Sequence, residues 1–366
     1  LSGKETHLNE SERESIFVNN TFYKKSIYDG FETCKQCRTK AEKLVNISDP
    51  IFSEFVAYGG KTDICKKCVN DNIERATDGS IKSYGHKPRP IFHSVKNDKI
   101  ITSTEEPNTN CYGLEIEVER RDSTVNQKLI AYEIIRDSDG FLYCKYDSSV
   151  SNGFEIVSHP ATFNAIKKMD LQKYFLAQRK SLKGYYTNTC GMHIHINRNS
   201  FNDLQLHKFV LMMNEHEKLT KAIAQRRSES EFKWAEFSLS QANDCKTESS
   251  KIGKVMKRQK KDDGWISRRD KKKRYKSDLT IGERYQVVNL QNTATIEVRC
   301  FKANLDEVAF RKNIEFVDGL FWFCKETPIH KLTVENFIKF VKSNNKDYSN
   351  LIQFLSRTET QAKLLS

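Results

Sequence analysis

No apolar run in this 366-residue chain approaches the length that spans a membrane. Residues 1–30 lack the apolar core of a secretory signal; they are polar and charged, so no export signal is expected there. No internal repeat is visible, which argues against solenoids and arrays. A secreted disulfide framework is missing as well. Of ten cysteines, four form two CxxC pairs and the other six scatter singly, a pattern that belongs to a reducing, cytoplasmic setting.

What is present is charge, unevenly placed. The net charge is +13, and residues 246–276 hold fourteen Lys or Arg against four Asp or Glu. Such a block is ordinarily a solvated loop, but it also suits a polyanion, whose phosphates attract Lys and Arg without regard to sequence. The same +13 balance therefore leaves nucleic acid open as a partner.

The first motif is cysteine. Cys34-Lys-Gln-Cys37 and Cys65-Lys-Lys-Cys68 repeat one spacing, with residues 38–64 between them. Two tight turns of this kind bring four thiolates around a tetrahedral zinc, and a closed four-cysteine site has no open position for catalysis. The expectation is a structural Zn²⁺ that staples a small ribbon over residues 31–72.

From Cys111 onward, short stretches alternate apolar and ionic residues at the period of a strand. In GLEIEVE, Glu115 and Glu117 share one face while Leu114, Ile116 and Val118 share the other, and Glu119 extends the acidic row. In GFEIVSHP, Glu155 stands among apolar neighbours, with Asp147 upstream in KYDSSV. In CGMHIHIN, His193 and His195 stand side by side, opposite Met192, Ile194 and Ile196. In TIEVRCF, Glu297 and Arg299 share a face opposite Ile296 and Val298. Each stretch taken singly fits the solvated face of an antiparallel sheet. Crowded carboxylates, however, repel unless a cation joins them, and Mg²⁺ takes oxygen ligands of this type. Arg beside an acid reads either as an internal ion pair or as a clamp on phosphate oxygens. If the four strands share a sheet, one charged face results, suited to a nucleotide and its metal ions.

The expected architecture is α+β: an antiparallel sheet with a concave active-site face backed by helices. The expected organisation is a polar arm at 1–30, the zinc-binding module at 31–72, a linker at 73–110 with one strand near Pro90–Ser94, a catalytic domain at 111–325 interrupted by the basic insertion 246–276, and C-terminal helices at 326–366. One helix is expected from His159-Pro160 to about Lys180 and one long helix over Phe201–Arg227. Paired strands are expected over Tyr285–Leu290 and Thr293–Phe301.

Taken in order, GLEIEVE, DSSV…GFEIVSHP, CGMHIHIN and RYQVVNLQNTATIEVRCF resemble the amidoligase family, ATP-dependent carboxylate–amine ligases with a fold related to glutamine synthetase, many of them from phages. The resemblance covers roughly residues 111–325. It implies that Glu115, Glu117, Glu155, His195 and Glu297 hold Mg²⁺, with His193 and Arg299 completing the catalytic set. It implies nucleotide contacts from Asp147, Arg284, Asn289 and Arg299. It also implies ATP and Mg²⁺ as cofactors, a carboxylate and an amine as substrates, an acyl-phosphate intermediate, and the host cytoplasm as location if the chain is phage-encoded. The basic segment departs from a plain small-molecule ligase and points to a nucleic-acid or protein acceptor. Two other classes stay open: a non-enzymatic zinc protein that binds nucleic acid through its knuckles and basic loop, and a metal-dependent hydrolase built on His193 and His195.

Overall fold

In the computed structural model, residues 77–246 and 283–357 are described continuously, together with short pieces between Ser15 and Asp71. The chain divides into two compact units, Leu1–Gly79 and Ser80–Ser366. Residues 247–276 of the basic insertion lie outside the described residues, as does most of the polar arm.

In the first unit the described pieces are three antiparallel strand pairs. β1 (Ser15–Val18) pairs β2 (Thr21–Lys24), β3 (Glu32–Thr33) pairs β4 (Lys40–Ala41), and β5 (Leu44–Val45) pairs β6 (Ile64–Cys65). One sulfur from each of Cys34, Cys37 and Cys68 lies within 4.8 Å of the others, with Cys34 Sγ and Cys68 Sγ 3.9 Å apart. The Cys65 side chain lies outside the described residues.

The second unit is organised by one mixed sheet, predominantly antiparallel. β10 (Cys111–Arg120) is its longest strand. On one side it pairs β12 (Gly153–Ser158), then β11 (Leu142–Lys145), then the short parallel β7 (Ile81–Lys82). On the other side it pairs β15 (Gly191–Asn197), then β17 (Thr295–Lys302), then β16 (Val288–Asn289). β13 (Ala161–Thr162) and β14 (Leu182–Lys183) pair the two ends of β10.

Residues 73–110, expected as a linker with one strand near Pro90–Ser94, supply that strand as β8 (Phe92–Lys96) and add β7 and β9 (Lys99–Ser103); the β8–β9 hairpin joins the sheet through β13. The turn is Asn97-Asp98, with both residues in the left-handed region (φ 49° and 64°), the conformation of a tight two-residue hairpin turn.

One face of the sheet is dry. Leu114, Ile116, Val118, Phe154, Ile156, Met192, Ile194, Ile296 and Val298 are all buried. Each such side chain contributes about 1.5–3 kcal/mol relative to exposure. Against this face lies α6 (Glu307–Glu326), the longest described helix, N-capped by Asp306. Its Asn313 reaches Met192 Sδ, and Phe316 packs edge-on against Phe301. Its buried Asp318 accepts from Tyr112 on β10 (2.6 Å) and from Tyr348 (2.9 Å), just before α8 (Ser349–Leu355). α7 (Val334–Ser343) also packs on α6, and α1 (Gln127–Asp137) covers β11.

The two expected long helices are broken. Residues 159–180 form β13, α2 (Phe163–Lys168), α3 (Leu171–Tyr174) and a 3₁₀ turn over Leu176–Lys180. Met169 is extended, and the Asp170 carboxylate accepts from Lys173 N, so a short polar side chain starts a new helix instead of continuing the old one. Residues 201–227 split at His216 into α4 (Asp203–Glu215) and α5 (Glu217–Ala224). There His216 bonds Leu332 O, and Asn214 bonds both Val210 O and Ser238 N; these tertiary partners end the first helix.

Candidate active site

Strand register does the assembly. Glu117 stands opposite Glu155, which stands opposite Lys145; Glu115 stands opposite His193; His195 stands opposite Glu297, which stands opposite Asn289. Directly opposed residues share a sheet face. The acids, both histidines and Arg299 therefore lie on the face that the aliphatics leave. Residues Arg299 and Cys300 together oppose His193, because the register shifts between Met192 and Ile194.

The side chains converge closely. His193 Nδ1 lies 3.5 Å from Glu115 Oε2 and 3.4 Å from Glu297 Oε1, while His195 Nε2 lies 3.4 Å from Glu115 Oε1. Two overlapping groups each bring one ligand atom per residue within 4.8 Å: Glu115, His193, Glu297, and Glu117, Glu155, His193. His193 belongs to both. His195, expected as the metal-holding histidine, belongs to neither; its Nδ1 lies 3.1 Å from Thr295 Oγ1.

Each carboxylate is held by its own partners. Glu297 pairs with Arg299 and accepts from Asn289 Nδ2 (2.7 Å) and Asn292 Nδ2 (3.2 Å). The turn carrying those two asparagines is pinned by buried Arg198, which donates to Leu290 O (2.6 Å) and Asn292 O. Glu117 accepts from Gly191 N at 2.6 Å. A Cβ at Gly191 would meet Arg226 Nη2, His193 Nε2 and Glu117 Oε2 at 3.3–3.5 Å, so the three functional groups close tightly around this backbone position. Glu155 pairs with Lys145 at 3.0 Å. Glu119 turns outward to Thr189 and Lys183.

The electrostatics follow from burial among like charges. Burial, and then the Glu115 charge, push the Glu155 carboxyl up to about 8. Burial likewise raises Glu117. Burial would lower the His195 imidazole, but Glu115 and the acids beyond it outweigh that and lift it to about 9. Glu115 runs the other way: burial opposes its ionisation, yet His195 and His193 hold it well below the usual carboxylate range. Buried Glu155 Oε2 is met by the Lys145 ammonium at 3.0 Å, and buried His195 Nε2 by Glu115 Oε1 at 3.4 Å. Carboxylates of Glu115, Glu117, Glu155 and Glu297 gathered around one imidazole crowd like charges in a way that a cation would relieve.

The remaining expected residues fall at the edges. Arg284 precedes β16, is exposed and bonds the Tyr84 side chain; Asn289 lies on β16, buried against Glu297. Asp147 closes its own turn, accepting from Ser149 N and Oγ, rather than reaching another acid of the site.

Lys145, Arg226 and Asn292 were not legible as parts of the site or its support. Lys145 alternates with Tyr143 on β11, a signal that becomes readable once β11 is paired with β12. Arg226 follows Gln225, which ends α5 in the left-handed region (φ 57°) and directs the chain back to β17. There Arg226 donates to Cys300 O, Arg299 O and Glu231 O. Asn292, which lies between the two expected strands, reaches Glu297.

A row of acids, histidines and an arginine on one sheet face, with Glu155 and His195 displaced from their ordinary titration ranges, marks this face as the candidate active site. The family described as "Putative amidoligase enzyme" matches residues 64–321, and the chain belongs to that family. The match starts well before Cys111, taking in Cys65, Cys68 and strands β7 to β9, which corrects the narrower span of 111–325 expected from the motifs. No curated protein matches the chain.

Proposed function

We propose that the charged face is the active site of an ATP-dependent carboxylate–amine ligase with a glutamine synthetase-like sheet. The observation that carries this reading is that β10, β12, β15 and β17 direct four acids, two histidines and Arg299 to one face, where His193 is shared by two carboxylate groups.

Mg²⁺ fits this donor set: carboxylate oxygens gathered with one imidazole, and crowded like charges. Glu115, Glu117, Glu155 and Glu297 with His193 would hold it, and bound Mg²⁺ would supply charge neutralisation for a transferring phosphoryl group. Arg299 is placed to bind phosphate oxygens once it shares Glu297 with a metal. Lys145 partly offsets the burial that pushes the Glu155 carboxyl up, and a bound cation would favour its ionised form further.

In the reaction, a substrate carboxylate oxygen attacks the γ-phosphorus of ATP and the bond to the β-phosphate oxygen breaks, giving ADP and an acyl phosphate. An amine then attacks the acyl carbon, phosphate leaves, and the amine gives up a proton. The protein's task in the first step is alignment and charge compensation, which explains a site of acids, His and Arg without a nucleophile. The basic segment at 246–276 favours an acceptor that is itself anionic or macromolecular. Zn²⁺ in the 31–72 module would be structural; the gathered sulfurs of Cys34, Cys37 and Cys68 support this reading.

The test is incubation with ATP, Mg²⁺ and pools of acids and amines, read by mass spectrometry. ADP together with a product one water lighter than its parents supports the ligase, and both should vanish in Glu297→Gln. Binding of nucleic acid with no nucleotide turnover under any pool would favour the non-enzymatic alternative.

A further inference from the structure

The mouth of the charged face carries a second kind of chemistry. Trp234, Tyr285 and Tyr84 stand there 45%, 42% and 52% exposed, although large aromatic side chains are usually covered. Trp234 and Tyr285 pack edge-on, with ring centroids 4.8 Å apart. Their two segments are zipped together by backbone bonds, Glu236 N to Tyr285 O (2.7 Å) and Val287 N to Glu236 O (2.9 Å). The pair is therefore built into the scaffold rather than carried on two independent loops.

Cations alternate with these rings. Lys233 Nζ lies 5.0 Å from the Trp234 ring, the Arg284 guanidinium 5.8 Å from the Tyr285 ring, and Lys145 Nζ 6.0 Å from the Tyr84 ring. The pair also abuts the acids. Arg299, which pairs with Glu297, donates to Trp234 O at 3.3 Å and lies 5.9 Å from the Tyr285 ring.

We propose that the Trp234–Tyr285 pair is the platform on which the base of the nucleotide substrate stacks. This rests on the ligase reading and extends it to residues that neither the motifs nor the family match assigns. The chemistry discriminates among ligands. A small acid or inorganic phosphate has no use for exposed rings, and an apolar ligand has none for three interleaved cations. A nucleotide uses both: its phosphates reach Arg299 and the carboxylate-held metals, and its base meets the adjoining rings. Stacking accepts any base, because every base presents a π-face. Single-stranded nucleic acid would use the same chemistry, but a platform contiguous with Arg299 and the acid groups favours the mononucleotide.

The test compares two probes on the full chain with Mg²⁺ present: ATP, and inorganic tripolyphosphate, which has the phosphates but no base. Calorimetry on wild type should give tighter binding for ATP. Trp234→Ala and Tyr285→Ala should each weaken ATP by about tenfold or more and leave tripolyphosphate unchanged. Trp234→Phe, which keeps a ring, should retain most of the ATP affinity and controls for folding. Equal losses for both probes, or no loss for ATP, overturns the platform while the phosphate site stands. The platform is equally overturned if the alanine variants lose only single-stranded oligonucleotide. Wild type that binds neither probe removes the ligase reading and the platform with it.

Discussion

His193 lies 3.4 Å from Glu297 on the neighbouring strand, although the register sets Glu297 opposite His195. The contact is diagonal, at the place where two residues of β17 face one of β15. One imidazole thereby reaches the acids of three strands. His193→Ala should abolish tight Mn²⁺ binding in the presence of ATP, measured by calorimetry, because it strips both carboxylate groups. His195→Ala should cost less, about 10–100-fold, as expected of a residue that orients ligands such as Glu115. Equal losses would reverse the ranking of the two histidines.

Asn289 and Asn292 both donate to Glu297. Asn289→Ala removes a buried donor and should destabilise the fold by about 1–3 kcal/mol in chemical denaturation. It should also lower metal affinity, since Glu297 is then free to rotate. Loss of stability without loss of metal affinity would confine Asn289 to packing.

Lys312 on α6 is fully buried, bonded to Ile223 O and Asn313 Oδ1, with its ammonium 4.6 Å from the Phe354 ring. Burial lowers it to about 7. The unfolded chain therefore binds the proton more readily than the folded one between its ordinary value near 10.5 and 7. The contribution of this group is fully present above that ordinary value and is lost as pH falls toward 7. Lys312→Met should flatten the pH dependence of stability across this window. It should also raise stability at neutral pH by about 1–3 kcal/mol, in denaturation curves taken at several pH values. An unchanged slope would place the titration elsewhere.

Three cysteine sulfurs meet in the first unit, and the Cys65 backbone lies on β6. Native mass spectrometry should find one zinc per chain. Cys34→Ser or Cys68→Ser should remove it, because a structural site needs its full tetrahedral set. Zinc retained in both variants would contradict the four-cysteine assignment.

The sequence made the second unit legible where side chains alternate cleanly. Glu115 and Glu117 against Ile116, or Glu297 and Arg299 against Val298, announce both the strand and its polar face before any partner is known. It could not set Lys145 against Glu155, because that pairing depends on the hairpin register of β11 and β12. Nor could it choose His193 over His195, since the choice turns on a bulge in the facing strand. Helix ends were hidden for a similar reason. His216 and Asp170 stop helices through partners that are distant in sequence or through a local cap that competes with the helical ladder. Arg226 and Trp234 were invisible because their neighbours are backbone carbonyls and a ring more than 50 residues away.

The most direct measurement is a crystal structure with Mn²⁺ and a non-hydrolysable ATP analogue, using the anomalous signal to locate the metal. The account predicts peaks among Glu115, His193 and Glu297, and among Glu117, Glu155 and His193, with the analogue's phosphates bridging to Arg299. Nucleotide bound elsewhere, or this sheet face left bare of metal at saturating concentrations, would contradict it.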